Sequence, residues 1–211
     1  MSDAILVTGG AGYIGSHLVQ LLGGLKEQSK IIVLDNLSTG FEHSIQSGEF
    51  VNGNVGDYDL VSGLLKKHTI ETVIHFAAHT IVPESVENPL KYYGNNTCAT
   101  RNLLQACQDN AVKHFIFSST AAVYGVPEQA ECTETTATSP INPYGMSKLM
   151  SEHMLRDVAA SSHMRFVILR YFNVAGSDPQ GIIGQSTKKA TLLTKVAVEV
   201  ALGKRASMKI F

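Results

Sequence analysis

Tyr144 and Lys148 stand four residues apart in a stretch that opens with Asn142-Pro143. On a helix that interval puts both side chains on one face, so a phenol and an ammonium can serve one site. A phenol ordinarily ionises near pH 10, and acting as a base near neutrality requires a fall of roughly 2–3, about 3–4 kcal/mol in favour of phenolate. The Lys148 ammonium and the helix N-terminus both act in that direction. Taken alone, Y-x-x-x-K equally describes an exposed tyrosine lying on a lysine stem. Ser118-Ser119-Thr120 sharpen the reading, because they close a strand-like run and the C-terminal ends of parallel strands face the ligand crevice. A hydroxyl, a phenol and an ammonium could converge there on one sugar hydroxyl.

A second constellation lies near the start. Thr8-Gly9-Gly10-Ala11-Gly12-Tyr13-Ile14-Gly15 fits G-x-G-x-x-G through Gly10, Gly12 and Gly15, and G-x-x-G-x-x-G through Gly9, Gly12 and Gly15. Missing side chains permit a tight turn and let backbone N–H groups approach a pyrophosphate at a helix N-terminus. Asp35, twenty residues after Gly15, ends the next strand-like run. Its carboxylate would accept from adenosine ribose hydroxyls and repel a 2′-phosphate, and the Asn36-Leu37 that follow neutralise nothing, so NAD is expected rather than NADP. The nicotinamide ring of oxidised NAD would be a further positive charge beside Tyr144.

These residues need elements to hold them. Apolar strand-like runs at 4–7, 31–34, 50–52, 72–76, 115–118 and 166–169 alternate with helical stretches at 13–22, 58–67, 89–110, 143–160 and 191–202. That alternation predicts βαβ units around a parallel sheet, its strands covered by helices on both faces. Asn88 before Pro89 and Asn142 before Pro143 read as N-caps ahead of a proline in the first helical turn. Residues 125–142 and 176–190 read as loops, the second holding Lys188-Lys189. His75 and His79 sit at a strand end with no third partner, which favours a packed His75 and a loop His79 over a metal site.

Composition narrows the partners. A net charge of −1 over 211 residues gives no basic field for nucleic acid, and no apolar run approaches the ~18 residues needed to span a bilayer. The opening Met1-Ser2-Asp3 lacks a secretory pattern, so a cytoplasmic location is expected. Cys98, Cys107 and Cys132 form no metal-ligand spacing and read as plain thiols.

Residues 8–17, Asp35-Asn36, His75-Phe76-Ala77-Ala78, residues 117–125, the Tyr144-to-Lys148 motif and Arg170-Tyr171-Phe172-Asn173 together resemble the extended short-chain dehydrogenase/reductase family, and within it the UDP-sugar 4-epimerases. The resemblance implies an α/β, three-layer doubly wound parallel sheet (Rossmann fold) with helices on both faces. It also implies an NAD-dependent isomerase that interconverts UDP-galactose and UDP-glucose through a transient 4-keto sugar; another UDP-sugar, or a non-catalytic NAD-binding module, are the alternatives. Related 4,6-dehydratases carry Thr-Asp-Glu where Thr120-Ala121-Ala122 stand, and two alanines cannot act as acid and base for eliminating water. By the same resemblance Tyr144 is the base, Thr120 binds the reacting hydroxyl and Lys148 binds the nicotinamide ribose.

Further cofactor contacts carried over are Gly9, Gly12, Tyr13 and Ile14 in the glycine loop, and Asp35 and Asn36 at the ribose. Asn54 and Val55 are expected near the adenine, with Phe76, Ala77, Ala78, Asn95, Ser118 and Tyr171 lining the rest. Asn173 and Leu193 are implied as sugar-nucleotide contacts. Asn54 stands where relatives often have Asp, Thr80 where some have Lys, and Leu192 where Asn or His often lies near the uracil. The family also implies a homodimer, built by the helices that start at Pro89 and Pro143. Its members run to about twice the ~150-residue domain unit. Residues 1–175 are therefore expected to form the NAD-binding domain with the catalytic residues, and 176–211 to begin a substrate-binding region cut short at the strand-like Met208–Phe211.

Overall fold

In the computed structural model, which describes residues 4–25, 29–129, 131–187 and 192–208, the apolar runs form one six-stranded parallel sheet of order β3-β2-β1-β4-β5-β6. The strands are β1 (Ala4–Thr8), β2 (Ile31–Asp35), β3 (Glu49–Asn52), β4 (Ile70–His75), β5 (His114–Ser118) and β6 (Arg165–Leu169). Val7 of β1 pairs with Val33 on one side and Ile74 on the other, and the order reverses direction between β1 and β4. A crevice opens at such a switch point outside the carboxyl ends of the strands.

Alternation along each strand sorts the core into two layers. Leu6, Ile32, Leu34, Phe115 and Phe117 pack with Val61 and Leu65 of α2 (Tyr58–His68), Leu103 and Leu104 of α5 (Ala99–Asp109) and Leu155 of α6 (Pro143–Ala160). Val7 and Val33 turn the other way, onto Val19 of α1 (Tyr13–Gly23). Phe115 and Phe117 are each 1% exposed, and truncating one such ring to Ala costs about 3–5 kcal/mol. Coverage ends before the sheet does: Val167 and Leu169 of β6 remain 51% and 38% exposed, so the expected two-sided burial fails at this edge strand.

Helix starts explain two further differences. Asn142 caps α6 as expected, its Oδ1 accepting from Gly145 N at 2.8 Å. Asn88 makes no side-chain cap; it joins α3 (Val82–Glu87), which sequence periodicity did not reveal, to the short α4 (Pro89–Tyr92). The stretch expected as one helix over 89–110 is interrupted by a π-helical segment, Tyr93–Cys98, between α4 and α5. Gly94 lies in it, and the widened turn presents Asn96 to its neighbours. The last helix, α7, covers Leu193–Ala201. Lys188-Lys189, Thr191, Met1 to Asp3 and the residues after Met208 lie outside the described residues.

Candidate active site

Every strand end that the sequence nominated reaches the same edge of the sheet. The glycine loop leaves β1, Asp35 closes β2, His75-Phe76-Ala77 leave β4, Ser118 to Thr120 leave β5 and Arg170-Tyr171 leave β6. Gly9 has φ +74°, and a Cβ there would lie 2.5 Å from Ala77 N, so only glycine lets the loop pass the end of β4. Gly15 is as constrained, since its Cβ would stand 2.3 Å from Gly9 O. Gly12 precedes α1 with no side-chain cap, and the first turn holds no acidic residue, so its N–H groups are left for an anion.

Asp35 is 9% exposed and holds this turn together: Oδ2 accepts from Ala11 N at 3.0 Å and Oδ1 from Leu37 N at 2.8 Å. Asn36 and Asn54 are exposed and close small turns onto Ser38 N and Gly56 N, while Val55 is buried beside them. Phe76, Ala77, Ala78 and Asn95 are partly buried, and Asn95 Nδ2 donates to Asn96 Oδ1. Tyr13 and Ile14 head α1, and the Tyr13 hydroxyl donates to Gly176 O at 2.7 Å, docking the start of the 176–184 loop onto the glycine loop.

Lys148 is 2% exposed, and its Nζ donates to the Ser118 carbonyl at 2.8 Å, 4.8 Å from the Phe117 ring centroid. Burial pushes its pKa down to about 7 against an opposing pull from Glu152. Tyr144 lies partly buried one turn earlier, next to the Thr120 hydroxyl, so the pair does straddle the end of β5. The expected fall in the Tyr144 pKa is not seen. Burial raises it, the Thr120 hydrogen bond lowers it and Tyr171 raises it again, while Lys148 is committed to Ser118. The Thr120 Oγ1 also accepts from Ala122 N, capping a short turn. The Tyr171 hydroxyl is buried close enough to Ser118 to feel that side chain, yet closes no hydrogen bond of normal geometry.

Behind these groups the His75 that the sequence reads as packed centres one polar cluster, while the clusters around Asn96 and Glu152 escaped sequence reasoning. His75 is 1% exposed, with Nδ1 2.6 Å from Thr8 Oγ1 and Nε2 2.9 Å from Thr100 Oγ1, so both ring nitrogens are committed and neither can bind a metal. Asn96 exchanges hydrogen bonds with the His79 backbone and reaches Ser147 on α6. Glu152, 1% exposed, accepts from Ser119 and Arg170. A charged residue at intervals of four and eight from Lys148 and Tyr144 on a buried helix face was the signal available. Asn173 is exposed, and Leu193 is 68% exposed on a helix with no buried residue, so neither joins the cluster at β5.

Comparison with known proteins agrees with this arrangement. A UDP-glucose 4-epimerase of Azospirillum brasilense is 48% identical over 211 residues, covering 100% of this chain and 60% of that protein. The structure of a UDP-glucose 4-epimerase from Brucella ovis in complex with NAD matches at a TM-score of 0.96 and 42% identity, over 100% of this chain and 64% of that one. The UDP-Glc/GlcNAc 4-epimerase of Campylobacter jejuni matches at 0.83 and 48% identity, covering 97% and 64%. The chain thus spans under two thirds of the length of these relatives. Among the described residues no helix is long and apolar enough to cross a membrane. Residues 5–211 match the pattern described as the NAD dependent epimerase/dehydratase family, and with the glycine loop, Asp35 and the Tyr144/Lys148 pair on one sheet edge the chain belongs to that family.

Proposed function

We propose that this chain carries the cofactor-binding and catalytic part of an NAD-dependent UDP-hexose 4-epimerase, with residues 1–175 holding the cofactor and the reacting groups and 176–211 beginning the region that receives the sugar nucleotide. The observation that carries it is the meeting of Thr120, Tyr144 and Lys148 at the end of β5, on the edge where the glycine loop and Asp35 lie. The residues fit NAD: an uncapped α1 N-terminus for the pyrophosphate, a buried carboxylate for the ribose and, beside Ser118, a buried Tyr171 hydroxyl that closes no hydrogen bond of normal geometry.

Bound NAD supplies a hydride acceptor that also returns the hydride. Tyr144 removes the proton from the sugar C4 hydroxyl and later gives it back, and Thr120 holds that oxygen by a hydrogen bond. Lys148 binds the nicotinamide ribose from its anchor on Ser118, with Asn95 and Phe76 to Ala78 lining the same cleft. The 4-keto sugar turns over before the proton returns, so configuration inverts with no net redox. Ala121 and Ala122, which form the turn after Thr120, offer no second acid or base for dehydration.

A cytosolic location belongs to the same proposal, and so does a homodimer, which the 63%, 80% and 41% exposure of Val86, Leu90 and Met150 on α3, α4 and α6 supports. Light scattering of the full-length protein should give twice the chain mass. The activity is tested by incubating the full-length, NAD-loaded protein with UDP-galactose: UDP-glucose should form, and its absence overturns the reading. A panel including UDP-N-acetylhexosamines tests the second reading, which the Campylobacter jejuni relative favours.

A further inference from the structure

Glu152 is a carboxylate placed where it touches neither of the expected ligands, yet three elements converge on it. It lies on α6 one turn beyond Lys148 and two beyond Tyr144, 1% exposed. Ser119 Oγ donates to its Oε1 at 2.5 Å. Arg170, at the end of β6, straddles the carboxylate: Nε stands 2.9 and 3.2 Å from the two oxygens, and Nη2 donates to Oε2 at 2.6 Å. The Arg170 guanidinium in turn lies 5.0 Å from the Tyr124 ring centroid. Arg156 reaches Oε2 only at 3.8 Å from a half-exposed position.

What Glu152 holds are the neighbours of site groups. Ser119 lies between Ser118, whose carbonyl anchors Lys148, and Thr120. Arg170 precedes Tyr171, whose carbonyl accepts from Ala121 N at 3.0 Å. A buried ion pair is weak as a source of stability, because desolvation offsets most of the attraction and apolar residues of the same shape do as well. Geometry at the end of β5 is what this pair secures.

We infer that Glu152 is a positioning residue for the proposed reaction: through Ser119 and Arg170 it fixes the Ser118-to-Thr120 segment and Tyr171 against α6, and its charge faces the Lys148 ammonium from one turn away. The inference rests on the epimerase reading for the roles of Thr120, Tyr144 and Lys148. Lys148 is faced by Glu152 from α6, by the Phe117 ring and Ser118 carbonyl from β5 and by neutral His75 from β4; Tyr144 lies one turn earlier on α6, and after β6 Tyr171 lies beside Ser118 while Arg170 is held by Glu152. Glu152 favours the charged form of Lys148 against burial.

The test uses full-length protein and two variants. Glu152→Gln keeps an oxygen for Ser119 and loses the charge; Ser119→Ala keeps the charge and loses the link. NAD affinity of nucleotide-stripped protein, measured by calorimetry between pH 6 and 10, is the deciding readout because it needs no turnover. In Glu152→Gln the pH at which affinity falls should drop by about one unit, whereas Ser119→Ala should leave it in place. With UDP-galactose, Glu152→Gln should lower kcat about 10- to 100-fold with KM changed less than threefold, and Ser119→Ala should lower kcat by less. Should Glu152→Gln fail to fold by circular dichroism, Arg170→Lys takes its place: both charges remain, so the NAD profile should stay put while kcat falls with KM changed less than threefold, and an unchanged kcat overturns the inference. A folded Glu152→Gln protein with an unshifted NAD profile, or wild-type NAD affinity with no pH dependence, overturns the inference. Wild-type protein that shows the NAD profile but no epimerisation overturns the activity and leaves the positioning role standing.

Discussion

The Lys148 ammonium donates its 2.8 Å hydrogen bond to the Ser118 carbonyl from a site that is 2% exposed, so the charge is fixed to the strand end rather than swinging from a flexible stem. Burial brings this group down to about 7 from its usual value near 10.5. Between those values the unfolded chain binds more protons than the folded one, so this group's contribution to stability rises with pH across the window and is smallest below pH 7. Lys148→Met should therefore gain most in relative stability at pH 6.5 and least at pH 10. Denaturant midpoints at both pH values check it, and parallel curves for the two proteins would refute it.

His75 acts with the same sign in a lower window. Thr100 Oγ1 donates to Asn96 O at 2.5 Å, so it accepts from His75 Nε2–H, and His75 Nδ1 is left to accept from Thr8. Burial, with Lys148 adding to it, pushes the imidazole down to about 3. The unfolded chain takes up a proton near pH 6.5 and the folded one does not, so stability falls as pH drops from 6.5 toward 3, by on the order of 5 kcal/mol at full protonation. His75→Asn should flatten that acid slope while costing about 1–3 kcal/mol at pH 7.5 through the unpaired threonines. Thermal midpoints from pH 4 to 8 measure both effects.

Much of this was legible in the residues, and what was not has identifiable physical causes. All six strands appear within two residues of their expected ends, because apolar β-branched runs between glycine-rich turns carry their own signal. Tyr144, Lys148, Thr120 and the glycine loop meet as expected because each is tied to an element end. His75 is packed as the sequence reads it, but its partners Thr8 and Thr100 come from separate elements and were not legible. Glu152 reads as a helix-surface charge until Arg170 arrives from the end of β6. The π-helical segment has no local periodicity, and its Asn96 is defined by partners 17 and 51 residues away.

Tyr144 is protonated at neutral pH in the cofactor-free protein, since burial and Tyr171 outweigh the Thr120 hydrogen bond. Tyr144→Phe should leave NAD affinity within about threefold and lower kcat for UDP-galactose by about 10²- to 10⁴-fold, the range for a lost general acid–base group. Stopped-flow absorbance of bound NADH separates the two effects. Equal losses in binding and turnover would mean that the phenol holds cofactor rather than moving a proton.

Asp35 serves the fold and the expected cofactor with the same two oxygens. Each already accepts one backbone N–H, from Ala11 and from Leu37, the latter at φ +57°, so the carboxylate holds the glycine loop against a turn that few side chains favour. Asparagine has one oxygen to offer, and its NH₂ group must face one of those two donors. Asp35→Asn should lose about 1–3 kcal/mol of stability for that reason alone. It also removes the charge that repels a 2′-phosphate, so NAD affinity should fall about 10- to 100-fold while NADP affinity falls less, and the ratio of the two narrows. Calorimetric titration with both nucleotides, beside a thermal melt, separates the roles. A destabilised variant with an unchanged NAD-to-NADP ratio would leave Asp35 as a structural clamp for the glycine loop and move cofactor selection elsewhere in the cleft.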